Sequence, residues 1–253
     1  MQALQLVPCG DMADQTSMKV FLFQVRADNV AAKHERECIL ETGGIHPGQL
    51  GFVNLATQPR CTSDLCREAN VVLIGGSASH SVVHDDPFTE DLIATVKAIV
   101  DRRQPLFGSC WGHQFIARAL GGEVLTDPEH GEVGVVEVDS TPDAAEDPLF
   151  KSMPERYSVL MGHHDRVDRL PEGCRELAFS SSCRNQAFCL EGYPVYGTQF
   201  HAELLPEQLV ERLTMFRQYM PDDEQFEQLK ASMRPTPEAG HLLRRFFQEV
   251  VGF

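Results

Sequence analysis

Seven residues near the middle of the chain, Gly108-Ser109-Cys110-Trp111-Gly112-His113-Gln114, constrain its fold more than any other stretch. Pro105-Leu106-Phe107 ahead of them reads as a buried strand. Behind them Phe115, Ile116, Ala119 and Leu120 recur at helical spacing, with Gly121-Gly122 as the stop. A strand that becomes a helix over so few residues brings backbone segments too close for side chains. Glycine two positions to either side of Cys110 is what such a turn requires. The bend pushes its central residue into the open at a helix N-terminus, where unpaired N–H groups and the positive dipole end favour a thiolate. Cys110 is therefore a candidate nucleophile, and the competing reading is a core thiol that does no chemistry.

The alternation extends towards the N-terminus. Lys19-Val20-Phe21-Leu22-Phe23 is a strand pattern, and a helical stretch over about residues 29–42 is stopped by Gly43-Gly44. Residues 52–55 and 71–74 read as strands, the second closed by Gly75-Gly76. Asp86 is expected to cap a helix with Pro87 at its first position, and Phe88, Leu92, Val96 and Ile99 to form its buried face. Strand and helix in turn predict an α/β fold, a mostly parallel open sheet with helices on both faces. Further β-like runs at 133–138, 158–161, 176–180, 187–190 and 195–200 extend that sheet or add antiparallel strands. From Pro206 onward the pattern is helical, with breaks around Pro221 and at Arg234-Pro235-Thr236-Pro237. We therefore divide the chain into an N-terminal extension (1–17), an α/β domain (18–217) and a C-terminal helical extension (218–253). In the last of these Leu242, Leu243, Phe246, Phe247 and Val250 predict an amphipathic helix docked on the domain.

The charge narrows the function. With 37 acidic against 22 basic residues the formal net charge is -15, which argues against nucleic acid, since phosphate binding needs clustered Lys and Arg. No stretch has the length and apolarity of a membrane span, and the N-terminus lacks the basic start and apolar run of a secretory signal. Eight cysteines without such a signal read as reduced thiols, so the cytoplasm is the expected compartment. Cys61 and Cys66, like Cys183 and Cys189, lack zinc or redox spacing and read as packing residues. His163-His164-Asp165 has no third ligand at suitable spacing, so no metal is expected. His80, His84, Asp85 and Asp86 read as a loop rimming the site.

A second segment completes the chemistry. Tyr196-Gly197-Thr198-Gln199-Phe200-His201-Ala202-Glu203 ends a strand pattern with a histidine and, two residues on, a glutamate, just before Pro206 opens a helix. A base at the end of one parallel strand reaches a nucleophile at the end of its neighbour, because both lie on the carboxyl edge where open α/β sheets place their sites. Cys110, His201 and Glu203 are thus the candidate catalytic residues, as nucleophile, base and orienting carboxylate.

These residues resemble the class I glutamine amidotransferase family over about residues 18–217, and are similar to stand-alone members related to the glutaminase domain of GMP synthase. The family's Gly-x-Cys-aromatic-Gly-x-Gln is met by Gly108, Cys110, Trp111, Gly112 and Gln114. Its His-x-Glu is met by His201 and Glu203, with Ala202 in place of the usual proline. Its Gly-Gly turn corresponds to Gly75-Gly76, with Ser77 where proline is common, and its His-x-Asp-x-Val loop to His163, Asp165 and Val167.

The resemblance implies a flavodoxin-like sheet, no cofactor, and an oxyanion hole made by the N–H groups of Gly76 and Trp111. It further implies that Gly75, Gln114, Gly162 and His163 hold the amino-acid end of the substrate. That substrate is a small molecule, glutamine or another γ-glutamyl compound, attacked by Cys110 to give a γ-glutamyl thioester that water then hydrolyses. The chain contains no Gly-x-x-x-x-Gly-Lys phosphate loop, so amination by released ammonia would need a synthetase on a separate polypeptide. Two alternatives stand beside the ammonia-producing glutaminase: a γ-glutamyl peptidase with the same triad, and a non-catalytic binding or thiol-sensing module.

Overall fold

The short apolar runs do become the middle of a sheet. A computed structural model describes residues 18–217 and 222–253; the N-terminal extension and the break at Pro221 lie outside these. Strands β1 (Val20–Gln24), β2 (Leu50–Asn54), β3 (Val71–Ile74), β4 (Leu106–Ser109) and β11 (Val195–Thr198) run parallel in the order β2-β1-β3-β4-β11. The sheet then continues antiparallel through β10 (Ala187–Leu190), β9 (Cys174–Phe179), β6 (Glu132–Ser140) and β7 (Arg156–His163), giving nine strands. The middle of the chain is thus an antiparallel extension of a parallel sheet.

Alternation along each strand assigns its two faces. On β3, Val71 and Leu73 belong to one core and Val72 and Ile74 to the other. The first core is covered by the helix α1 (Asn29–Gly43), through Ile39, and by the C-terminal turns α6 (Pro237–Gly240) and α7 (Leu242–Arg245). The second is covered by α2 (Thr89–Asp101) and α3 (Trp111–Ala119), through Leu92, Val96, Phe115 and Ile116. Helices α4 (Pro206–Met215) and α5 (Asp223–Ser232) join Leu209, Leu213 and Phe226 to a third cluster containing Cys38 and Leu160. As expected, the last helical residues dock on their own domain: Phe246 packs its ring 5.2 Å from that of Phe107 and 5.7 Å from that of Tyr196. Among the described residues no helix is long and apolar enough to cross a membrane.

Two expectations are corrected. Asp86 does not cap α2: the helix starts at Thr89, whose hydroxyl accepts the Asp86 N–H at 2.8 Å, while the Asp86 carboxylate turns towards His80. The segment read as a loop after His163 is a strand, β8 (Asp165–Arg169), paired with β5 (Glu123–Thr126) in a separate two-stranded sheet.

Candidate active site

Strand β4 delivers Cys110 and β11 delivers His201 at the same edge. The two strands are neighbours in register, Thr198 opposite Ser109, and the Cys110 N–H donates to the Thr198 carbonyl at 2.8 Å. Cys110 stands at φ +50 and ψ −105, a conformation a side chain seldom adopts, and it caps α3. The bend survives because its flanks are glycine: a Cβ on Gly112 would lie 2.1 Å from the Ile74 carbonyl oxygen, and one on Gly108 would lie 2.6 Å from the Gly112 backbone. Trp111 stacks on Phe115 with ring centroids 4.8 Å apart, and His113 turns into the core against Phe188.

His201 and Glu203 are both buried, with Nδ1 2.8 Å from Oε1. The same carboxylate accepts the Ser109 hydroxyl at 2.5 Å and Arg212 Nη1 at 3.0 Å. Burial by itself would raise the carboxyl's pKa, but the imidazole, Arg212 and Ser109 overrule it and hold Glu203 far below the usual carboxylate range. Burial likewise favours a neutral His201, yet the Glu203 charge and the Cys110 sulfur prevail and carry the imidazole up to about 9. A carboxylate fixed as an anion thus orients an imidazole that keeps a proton well above neutrality.

Two cavities meet at Cys110. The larger, about 350 Å³, is lined by Ser77, His80, Trp111, Gln114, Gly162 and His163 among others, which puts His80 and His84 on its rim as expected. The smaller, about 40 Å³, has Arg26, Val133, His201, Leu209, Arg212 and Phe216 in its wall. Gln114 is held by its amide, which donates to the Asp165 carbonyl at 2.7 Å and to Gln199 at 3.0 Å.

The predicted Gly75-Gly76 site residues are placed differently. Neither lines these two cavities. A Cβ on Gly75 would meet the Glu35 carboxylate at 2.7 Å, and the Gly76 N–H donates to Glu35 Oε1 at 3.1 Å. In this structure the Gly76 N–H is therefore taken and does not face the larger cavity, because a buried carboxylate lies beneath the turn.

The family model for class-I glutamine amidotransferases matches residues 51–216. The chain belongs to that family. Among curated class I relatives, the glutamine-hydrolyzing subunit of GMP synthase from Methanocaldococcus jannaschii is 34% identical over 124 residues, which is 49% of this chain and 63% of that protein. Its counterpart in Methanothermobacter thermautotrophicus is 41% identical over 100 residues, 40% of this chain and 52% of that one. The match thus spans less than two thirds of either relative. In fold, a class I glutamine amidotransferase from Thermotoga maritima superposes with a TM-score of 0.70 at 20% identity, covering 94% of this chain and 99% of its own. Another from Methylobacillus flagellatus gives 0.69 at 19%, covering 92% and 95%.

The amidotransferase site is supported by charged groups that the sequence pattern did not single out. Both ring nitrogens of His163 face acceptors, Nδ1 the Asp165 carbonyl at 3.0 Å and Nε2 the Glu132 carboxylate at 3.1 Å, so the ring carries two protons when Glu132 is ionised. Burial pushes the Glu132 carboxyl up, but His163, Ser180 and Gln186 outweigh it and lower its pKa. Glu132, His163 and Cys183 bring donor atoms within 4.8 Å of one another, the spacing of a metal set. Their hydrogen bonds already close among themselves, however, with the Cys183 thiol donating to the His130 carbonyl at 3.2 Å. Arg212 and Glu35 left one trace in the sequence: each is a charge on an apolar helix stripe, Arg212 between Leu209 and Leu213, and Glu35 among Ala31, Ala32, Cys38 and Ile39. The described cysteines form no disulfide, and burial pushes Cys61 up to about 11 and Cys189 up to about 12, in keeping with packing roles.

Proposed function

We propose that the chain hydrolyses the side-chain amide of glutamine to glutamate and ammonia through Cys110, His201 and Glu203. One observation carries this choice: His201 lines the small cavity and not the large one, while Cys110 opens onto both. The group that gives a proton to the leaving nitrogen faces the side on which that nitrogen departs. A space of about 40 Å³ suits a molecule the size of water, which occupies ~30 Å³, and so suits ammonia. The larger cavity, with Gln114, Gly162 and His163, takes the amino-acid end.

In the first step the Cys110 sulfur forms a bond to the amide carbon and the carbonyl π pair moves to oxygen. Collapse of that adduct breaks the C–N bond as the His201 proton passes to nitrogen, releasing ammonia and leaving a γ-glutamyl thioester. Water then gives a proton to His201 and adds to the thioester, the C–S bond breaks, and glutamate leaves. The kinship with GMP synthase subunits named glutamine-hydrolyzing supports a separate synthetase as the consumer of the ammonia.

The test offers purified protein glutamine and a panel of γ-glutamyl amides and peptides, with glutamate release measured. Glutamine should turn over best; turnover of γ-glutamyl peptides alone would replace this reading with the peptidase one. Cys110→Ala should abolish both turnover and labelling by a diazoketone analogue of glutamine while leaving the circular dichroism spectrum intact. Labelling that persists in that variant would move the nucleophile elsewhere.

A further inference from the structure

The turn carrying Gly75 and Gly76 is gripped from two sides. On one side stands a fully buried ion pair, Arg26 Nη2 to Glu35 Oε1 at 2.6 Å, with Arg26 Nε on the same oxygen at 3.1 Å and Gln24 Nε2 on the other at 2.8 Å. On the other side stand the reacting groups: a Cβ on Gly76 would lie 3.5 Å from His201 Cε1 and 3.7 Å from Cys110 Cβ. Gly76 is thus next to the nucleophile and the base while its N–H points into the Glu35 carboxylate.

We propose that Glu35 is a latch on the oxyanion hole: at rest it holds the Gly76 N–H, and reaction requires the turn to swing that N–H onto the oxygen of the scissile carbonyl. The proposal rests on the glutaminase reading above and on Gly76 being the second donor beside Trp111. The competition has a definite sense. A ground-state amide oxygen is neutral and loses the N–H to a fixed carboxylate, whereas the oxygen of the tetrahedral adduct is an anion and can win it. The donor is then engaged in the transition state and not before, which raises turnover and leaves ground-state binding alone. Release does not strand Glu35, because Oε1 keeps both Arg26 contacts and Oε2 keeps Gln24. Two successive glycines suit the motion, since a side chain on Gly75 would collide with the carboxylate and a peptide swing crosses φ/ψ regions that glycine enters at little cost.

The direct test is Glu35→Gln, which keeps the shape and weakens the acceptor. Its kcat for glutamine should rise several-fold, against a ceiling of the ~100-fold to ~1000-fold that one oxyanion donor is worth. KM should change little, and the rate of Cys110 alkylation by iodoacetamide, which uses no oxyanion hole, should stay the same. A kcat equal to or below that of the wild type in a folded variant overturns the latch.

Because Glu35→Gln leaves Arg26 without its counter-ion, the wild-type protein supplies the second measurement. Glutamate γ-semialdehyde adds the Cys110 thiol across its C=O to give a tetrahedral thiohemiacetal. The Gly76 amide proton should be protected from exchange in the free protein, and its resonance should move when that adduct forms. An unchanged Gly76 resonance in the adduct overturns the latch. Wild-type protein that fails to hydrolyse glutamine would instead overturn the glutaminase reading, while protection of Gly76 in the free protein would still report the Glu35 bond.

Discussion

His201 owes its protonation to its neighbours more than to its solvent. With the imidazole raised from 6.5 to about 9, the charged ring and its bond to Glu203 persist through neutrality. A raised folded-state pKa places the linked stability below 6.5 in full and removes it as pH climbs through about 9. The kcat/KM profile should accordingly fall above about pH 9 with the loss of one proton. Glu203→Gln removes the largest influence raising the ring and should pull that limb back towards 6.5. It should also lower kcat by up to ~10⁴-fold, the loss met when a triad carboxylate becomes an amide. A limb that stays near 9 in the variant would show that Glu203 does not govern the imidazole. The candidate residues Cys110, His201 and Glu203 were legible because a glycine-flanked cysteine and a strand-end His-x-Glu stand out as residue types at turns. Arg212 and Glu35 were not, since a helical pattern is read from its apolar majority and one charge in the stripe does not alter the period.

At the level of elements, the strand, bend and helix from β4 to α3 form the tightest construction in the molecule, because Gly112 presses on the backbone of β3. Gly112→Ala would set a methyl 2.1 Å from the Ile74 carbonyl oxygen, and no flexible side-chain end is there to yield. It should destabilise the fold by about 3 kcal/mol, the upper end of overpacking, and lower the urea midpoint accordingly. A midpoint equal to the wild type would show that α3 moves away from β3 at little cost. Parallel strands such as β3, apolar on both faces, were readable as unbroken runs. The pair β5 and β8 was not, because Asp165-Arg166-Val167-Asp168-Arg169 has one apolar residue. What joins the two strands includes Arg169 on Glu123 at 2.7 Å and Thr126 on Asp165 at 2.7 Å, contacts that no periodicity announces. The cap of α2 failed for a related reason: Thr89, three residues on, offered the Asp86 backbone a hydroxyl partner and the helix began there.

In the whole molecule, the C-terminal turns belong to the same core as the first strand, since Leu242, Phe246 and Phe247 cluster with Val20 and Leu22. Phe246→Ala should therefore cost about 3–5 kcal/mol of unfolding free energy, read from the shift in the denaturation midpoint, as for other buried aromatic truncations. A shift within experimental error would mean that this tail is dispensable to the core. The rings that Phe246 touches sit on β4 and β11, the strands that end at Cys110 and His201. The separation of sulfur and imidazole is thus ruled by two hydrogen-bonded neighbours, and the intervening stretch of chain, which folds outward into antiparallel strands, takes no part in measuring it. That stretch can be lengthened, shortened or rebuilt among kindred proteins to suit different docking partners, while the pair at its base keeps its spacing.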